Sequence, residues 1–305
     1  MLAFVFPGQG SQYAGMGKEL CAEFKQAREV FEQADDALGD HLTRMCHEGP
    51  EDSLRLTANT QPAILTTSIA ALRVLYAESG LAPDVVAGHS LGEYSALVAA
   101  GALDFAAAVR IVRQRGTFMQ AAVSDGAGAM AAVLGIDAET LQLICSEAAQ
   151  GEVVTPANYN APGQIVIAGN TAAVERAIEL ATQRGAKRAM RLPVSAPFHC
   201  PLMVPAGERL QHELEQIDIH SLQVPVVSNV EAITYTDSSK TIALLVQQVS
   251  SPVRWDESVR NMLAQGVERF IEVGPGRVLS GLIKRIERKV PVANIEDIKS
   301  LKALV

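Results

Sequence analysis

The stretch from Val85 to Ala100 limits what this chain can fold into more than any other. An apolar run, Val85-Val86-Ala87, leads into Gly88-His89-Ser90-Leu91-Gly92, and a helix-like stretch from Glu93 to Ala100 follows. A serine between two glycines at a strand-to-helix turn has the form of a nucleophile elbow, which lifts a hydroxyl clear of the backbone at the carboxyl end of a sheet. Such a turn is too tight for a Cβ on both sides, which is a reason for the glycines. The N–H that follows the serine opens a helix and can face a developing oxyanion. The same string also fits an ordinary βα turn, so the flanking sequence has to decide.

The remainder reads as alternating strands and helices. Leu2 to Phe6 is a short buried strand running into the turn-rich Pro7-Gly8-Gln9-Gly10-Ser11-Gln12. This loop is not a P-loop, because Gln12 stands where the leading glycine should be and Glu19 where Ser or Thr should follow Lys18. Its glycines instead suit the close approach of a backbone N–H, such as that of Gln9, to a reaction centre. Helical patterns cover Lys18 to Leu38 and Thr60 to Ser79, then come the strand Asp84 to Ala87, the elbow and a helix from Phe105 to Val123 with Asp104 at its N-cap. Strand, helix, strand, helix in this order indicates a parallel sheet, whose ligands gather outside the carboxyl ends of the strands.

Beyond Asp125-Gly126-Ala127-Gly128 the texture changes. Strands at Met130 to Leu134, Val153 to Tyr159, Gln164 to Ala168 and Lys187 to Leu192 alternate with helices at Asp137 to Gln150 and Thr171 to Arg184. That is the β-α-β-β-α-β order of a ferredoxin-like unit. The expected architecture is therefore α/β. A large hydrolase-like domain (1–125 and 194–305), with a central parallel sheet flanked by helices, carries an inserted ferredoxin-like subdomain (126–193). The main domain resumes at Ser195-Ala196-Pro197-Phe198-His199-Cys200-Pro201. It continues with a helix from Val204, a strand from Val224 to Ser228, a helix from Thr241 to near Gln248, a helix from Ser258 to Gln265 and a strand from Arg269 to Val273. Gly274-Pro275-Gly276 then leads into an amphipathic helix.

Composition excludes several classes of function. The 305 residues are 48% hydrophobic and carry a net charge of −8, so a general affinity for nucleic acid is disfavoured. The clusters Lys187, Arg188, Arg191 and Lys284, Arg285, Arg288, Lys289 are the two local basic patches, each also readable as a solvated face. The cysteines Cys21, Cys46, Cys145 and Cys200 show no zinc-ligand spacing and read as free thiols, and no metal is expected. No run reaches the ~18 apolar residues of a membrane span. The start lacks a charged leader, so a cytoplasmic protein without membrane attachment is expected.

Two further residues stand out. Arg115 lies on the margin of the buried stripe of its helix, and a guanidinium drawn inward needs an anion, either an internal Asp or Glu or a carboxylate on a substrate. A serine nucleophile needs a base, and imidazole is the usual one near neutral pH. His89 diverges from its neighbour at so sharp a turn and reads as structural, while His41, His47, His212 and His220 read as surface residues. His199, on a proline-bracketed loop where the chain returns to the main sheet, fits either a base for Ser90 or a satisfied loop histidine. No histidine follows His220, which disfavours the late histidine of an α/β-hydrolase triad. No acidic residue announces itself as an orienter of His199, and a backbone carbonyl can hold the tautomer instead.

Taken together, Phe6-Pro7-Gly8-Gln9-Gly10-Ser11-Gln12, Gly88-His89-Ser90-Leu91-Gly92-Glu93, Arg115, Phe198-His199 and Gly274-Pro275-Gly276 closely resemble the malonyl-CoA:acyl carrier protein transacylases of bacterial fatty-acid synthesis, in order and over essentially the full length. The resemblance implies that Ser90 becomes malonylated, with His199 as general base and acid in a ping-pong cycle. It implies an oxyanion hole from the backbone N–H groups of Gln9 and Leu91, each worth about 3 kcal/mol. It implies that Arg115 grips the free carboxylate of malonate, that the main-chain carbonyl of Gln248 orients His199, and that Asn160 and Phe198 line the site. No permanently bound cofactor follows from it. CoA enters as the substrate thioester, phosphopantetheine is carried by the acyl carrier protein, and a monomer is expected. Phe198 stands where many bacterial members have Ser, as in malonyl-selecting acyltransferases of polyketide synthases. The competing readings are therefore a discrete polyketide-type malonyl acyltransferase, a serine thioesterase or hydrolase, and a silent acyl-CoA or carrier-binding module.

Overall fold

The computed structural model describes residues 1–194 and 196–304. Ser195, where the sequence places the return to the main domain, lies outside the described residues. In chain order the elements are β1 (Leu2–Phe6), α1 (Lys18–Glu23), α2 (Lys25–Leu38), α3 (Leu42–Glu48), α4 (Glu51–Arg55), α5 (Thr57–Ser79), β2 (Val85–Gly88), α6 (Gly92–Ala99) and α7 (Phe105–Ala121). There follow β3 (Gly128–Leu134), α8 (Ala138–Ala149), β4 (Val154–Ala161), β5 (Gln164–Asn170), α9 (Thr171–Gln183) and β6 (Arg188–Arg191). The last third holds α10 (Val204–Leu214), β7 (Val226–Val227), β8 (Thr234–Tyr235), α11 (Thr241–Ser250), α12 (Trp255–Ala264), β9 (Arg269–Val273), α13 (Val278–Ile286), β10 (Val292–Ile295) and α14 (Ile298–Lys302).

The main sheet runs β10-β9-β1-β2-β7-β8, parallel throughout except for β8, which pairs antiparallel to β7 at one edge. Its central strands are apolar without alternation because both faces are covered. Phe4 and Phe6 point into the core shared with α2, α5, α6 and α7, while Ala3 and Val5 point to the other side, toward Trp255, Leu279 and Ile283 of α12 and α13. The second sheet is antiparallel, in the order β4-β5-β3-β6, and packs α8 and α9 on one face through Val133, Leu141, Ile144 and Val174. Within the β-α-β-β-α-β unit this order puts the first and third strands at the centre, the ferredoxin-like arrangement.

Register brings the functional loops together. Phe6 pairs with Gly88, so β1 and β2 end side by side, and the loop carrying Gln9 emerges next to the elbow carrying Ser90. β7 pairs with β2 through Val226 and Val227, which carries the chain after it to the other flank of the same elbow. The second sheet is tied to the connection between α11 and α12, where Val253 N–H donates to the carbonyl of Ala157 at 2.9 Å and Tyr159 N–H donates to the carbonyl of Val253 at 2.9 Å.

The structure departs from the sequence expectations in several places. The helix expected over Lys18 to Leu38 is two, broken where Phe24 turns extended (φ −110°, ψ 126°) and packs against the core, which turns Ala27, Val30 and Phe31 of α2 inward. Asp104 occupies the N-cap of α7 without a side-chain capping bond, and its carboxylate lies 3.5 Å from His220 instead. His47 is half-buried against Phe31 rather than a surface residue. The strand expected at Val224 to Ser228 is only two residues long, and α3, α4, β8, β10 and α14, each too short to show a clear period, are not predicted by the sequence.

The elbow glycines carry a direct prediction. A Cβ on Gly88 would fall 1.9 Å from the carbonyl of Gly92, and one on Gly92 would fall 2.1 Å from the carbonyl oxygen of Phe6. Backbone on backbone has no soft escape, so Gly92→Ala is expected to lower the Tm by more than about 5 °C. Gly281→Ala, at a helical glycine whose Cβ would meet nothing within 4 Å, is expected to leave the Tm unchanged or raised. Thermal melts of the two variants beside the parent check this.

Candidate active site

Ser90 sits on the elbow with φ 53°, a left-handed conformation that costs a non-glycine residue of order 1–3 kcal/mol and persists where the surroundings enforce it. The enforcement is visible. Asn229, just beyond β7, accepts from Ser90 N–H at 2.6 Å and donates to the carbonyl of Gly88 at 2.6 Å, clamping both limbs of the turn. His89 also borders the site but turns to Asn160, its Nε2–H donating to Oδ1 at 2.8 Å, with its ring 5.7 Å from that of Trp255. Burial lowers its pKa, which keeps the ring neutral in this structural position.

His199 reaches Ser90 from the opposite direction. It too holds a left-handed backbone (φ 59°), and its Nε2 lies 2.7 Å from Ser90 Oγ. Its Nδ1 lies 2.8 Å from the main-chain carbonyl of Gln248. A carbonyl can only accept, so Nδ1 carries the proton and Nε2 is bare, ready to accept from the serine hydroxyl. Gln248 sits in the last turn of α11, and the residue four positions on is Pro252, which has no N–H to give. The Gln248 carbonyl is thereby left without a helical donor and is free for the imidazole. Burial, reinforced by the charge of Arg115, lowers the pKa of His199 to about 3. The ring is therefore neutral at physiological pH.

Arg115 is the second largest fully buried side chain, with 1% of its surface exposed. It donates from Nη1 to Oε1 of Gln61 at 2.8 Å, and from Nη2 to Oε1 of Gln248 at 2.8 Å and to Ser90 Oγ at 3.2 Å. Its guanidinium carbon stands 5.4 Å from the centre of the Tyr94 ring. Among the described residues its hydrogen-bond partners are thus neutral, and none is a carboxylate. Of the two anions the sequence left open, an internal Asp or Glu in direct contact is excluded. A buried cation whose direct partners are all neutral keeps its guanidinium face open to an incoming anion.

These groups line a cavity of about 230 Å³, together with Gln9, Leu91, Asn160 and Phe198. Gly8 presses on the elbow, since a Cβ there would fall 2.4 Å from the carbonyl oxygen of His89, and this contact sets Gln9 beside Ser90. Neither Gln9 N–H nor Leu91 N–H has an acceptor among the described residues, and Leu91 stands at the N-cap of α6. Gln248 stays behind the cavity wall and acts on it from there. No group of His, Cys, Asp or Glu among the described residues could hold a metal ion. The arrangement provides a hydroxyl, a neutral base hydrogen-bonded to it, two open N–H donors and a buried cation, which together suit acyl transfer with a carboxylated acyl group. Sequence reasoning missed Asn229, Gln61 and the side chain of Gln248.

Comparison with known proteins gives a consistent assignment. The model of a family described as "Acyl transferase domain" matches residues 3–302. The malonyl CoA-acyl carrier protein transacylase of Bacillus subtilis (strain 168) is 50% identical over 305 residues, which cover 100% of this chain and 96% of that protein. The solved malonyl CoA-acyl carrier protein transacylase of Coxiella burnetii superposes with a TM-score of 0.98 at 44% identity, covering 100% of this chain and 96% of the other. A malonyl-transacylase solved with its type II polyketide synthase acyl-carrier protein superposes with a TM-score of 0.97 at 47% identity, covering 99% of this chain and 98% of the other. Motif order, site geometry and full-length similarity agree, and the chain belongs to the malonyl-CoA:acyl carrier protein transacylases of the acyl transferase domain family.

Proposed function

We propose that the chain transfers malonyl from malonyl-CoA to the phosphopantetheine thiol of acyl carrier protein through a malonyl-Ser90 intermediate, supplying the extender unit for fatty-acid synthesis in the cytoplasm. The observation that carries this reading is the buried, carboxylate-free guanidinium of Arg115 at 3.2 Å from the nucleophile. Ser90 Oγ attacks the thioester carbonyl while its proton passes to Nε2 of His199, and the imidazolium is stabilised by its Nδ1–H donating to the Gln248 carbonyl. The N–H groups of Gln9 and Leu91 receive the oxyanion. His199 then returns the proton to the departing CoA sulfur, leaving malonyl on Ser90. In the second half the carrier thiol gives its proton to His199, its sulfur attacks the ester, and Ser90 recovers its proton. CoA and phosphopantetheine thus come and go with substrate and partner, and the cycle calls on no resident cofactor. The carbonyl of Gln248 stands where a hydrolase has its acid.

The transferase is separated from a serine hydrolase by what discharges the acyl-enzyme. Isolated malonyl-enzyme is expected to lose its acyl group to holo acyl carrier protein at least about 10³-fold faster than to water, read by single-turnover quench. Equal rates with and without the carrier would make the chain a thioesterase.

A further inference from the structure

The site contains a buried carboxylate that the reaction above does not use. Glu93 stands three residues past Ser90 in the first turn of α6, with none of its surface exposed. Keeping an ionisable group there costs several kcal/mol unless its partners repay it. Its Oε2 accepts from Gln248 Nε2 at 2.7 Å and from the main-chain N–H of Asn229 at 3.1 Å. Asn229 is the residue that clamps the elbow. Gln248 donates its other amide hydrogen to the carbonyl of Ser90 at 3.0 Å, turns Oε1 to Arg115, and orients His199 with its main-chain carbonyl. The Glu93 carboxylate makes no hydrogen bond to Ser90, His199 or Arg115 and stands one residue behind all three.

We infer that Glu93 is a positioning residue: it fixes the side-chain amide of Gln248, and through that amide the guanidinium of Arg115. The inference rests on the role proposed above for Arg115 as the grip on the substrate carboxylate. A primary amide can present either end to the guanidinium. With Oε1 toward Arg115 it accepts, and turned over it would set donor against donor. The choice is made at the far end, where the Glu93 carboxylate accepts from Nε2 and would repel Oε1. Without Glu93 the turnover is opposed by the Ser90 carbonyl and by Arg115 itself, but no longer by a carboxylate at the far end of the amide. The placement also bears on charge. Glu93 favours the ionised form of Arg115 without contacting it, which leaves the guanidinium face at Ser90 open for a substrate anion. Burial raises the Glu93 pKa to about 7 against the opposing pull of Gln248, Asn229 and Arg115.

A double-mutant cycle in the full-length chain tests this, read as the ratio of kcat/KM for malonyl-CoA to that for acetyl-CoA. Glu93→Ala is expected to lower the ratio by at least about tenfold, and Gln248→Met, which keeps the main-chain carbonyl, by a similar factor. Combining the two is expected to add less than about twofold, because Glu93 acts through that amide. Glu93→Gln, whose carbonyl oxygen can accept from both donors, is expected to stay within about threefold of the parent. A ratio unchanged in Glu93→Ala while turnover falls alike for both substrates would show a packing role and overturn the inference, as would additive losses. Should Glu93→Ala fail to fold, Glu93→Asp, which withdraws the carboxylate by one methylene, takes its place in the cycle: a lowered ratio that Gln248→Met does not deepen supports the inference, and an unchanged ratio or additive losses overturn it. Arg115→Ala separates this from the underlying reading. If that variant keeps the ratio, the grip itself is wrong; if it loses the ratio while Glu93 and Gln248 variants keep theirs, only the present inference falls.

Discussion

Ser90→Ala is expected to lower malonyl transfer by roughly 10⁴-fold or more, with the residual rate coming from binding and the oxyanion donors alone. The magnitude follows from the absence of a substitute. With Oγ removed, Nε2 of His199 has no proton to take. The adjacent thiol of Cys200 does not replace it, because it is buried, donates to the carbonyl of Pro197 at 3.0 Å, and has its pKa pushed up to about 12. Steady-state assay with holo acyl carrier protein checks the loss. Retention of more than about 1% of parental turnover would place the nucleophile elsewhere.

Arg115→Ala is expected to change what the enzyme selects. Losing one partner of a buried, hydrogen-bonded charge pair costs about 2–5 kcal/mol, so the malonyl-to-acetyl ratio of kcat/KM should fall by roughly 10²- to 10³-fold. Acetyl-CoA has no carboxylate to lose and should suffer far less. A second effect comes from His199. After burial, the charge of Arg115 is the largest cause of its lowered pKa. Removing a positive neighbour favours the imidazolium, so the His199 pKa rises and activity is lost at higher pH than in the parent. The acid limb of kcat/KM for acetyl-CoA, which reports the free enzyme, should therefore move upward in pH. An unchanged ratio together with an unmoved limb would refute both roles.

Much of this was legible in the chain because the decisive signals are local. The elbow is one pentapeptide, and the ferredoxin-like unit announces itself through strand and helix order. Arg115 betrays itself by its place on a helical wheel, although the wheel alone does not say whether its anion is internal or comes with a substrate. The proline four residues past Gln248 is also a local signal, and it accounts for the free carbonyl that holds His199. Asn229 gave no such signal. Its side chain meets the elbow only because β7 pairs with β2, a contact across the sheet that no window of sequence contains. Gln61 lies in α5, which is buried almost all round, so a polar residue there shows no face to distinguish it. The sequence shows Glu93 only as part of a motif, and that its carboxylate is buried against Gln248 and Asn229 follows only from the fold.

The central claim is that Ser90 carries the malonyl group between CoA and the carrier thiol. Mixing the protein with malonyl-CoA in the absence of carrier protein and weighing it intact tests this most directly. A single malonyl adduct on the parent chain, absent from Ser90→Ala and discharged on adding holo acyl carrier protein, is the expected result. No adduct on the parent, or an equal adduct on Ser90→Ala, would contradict it.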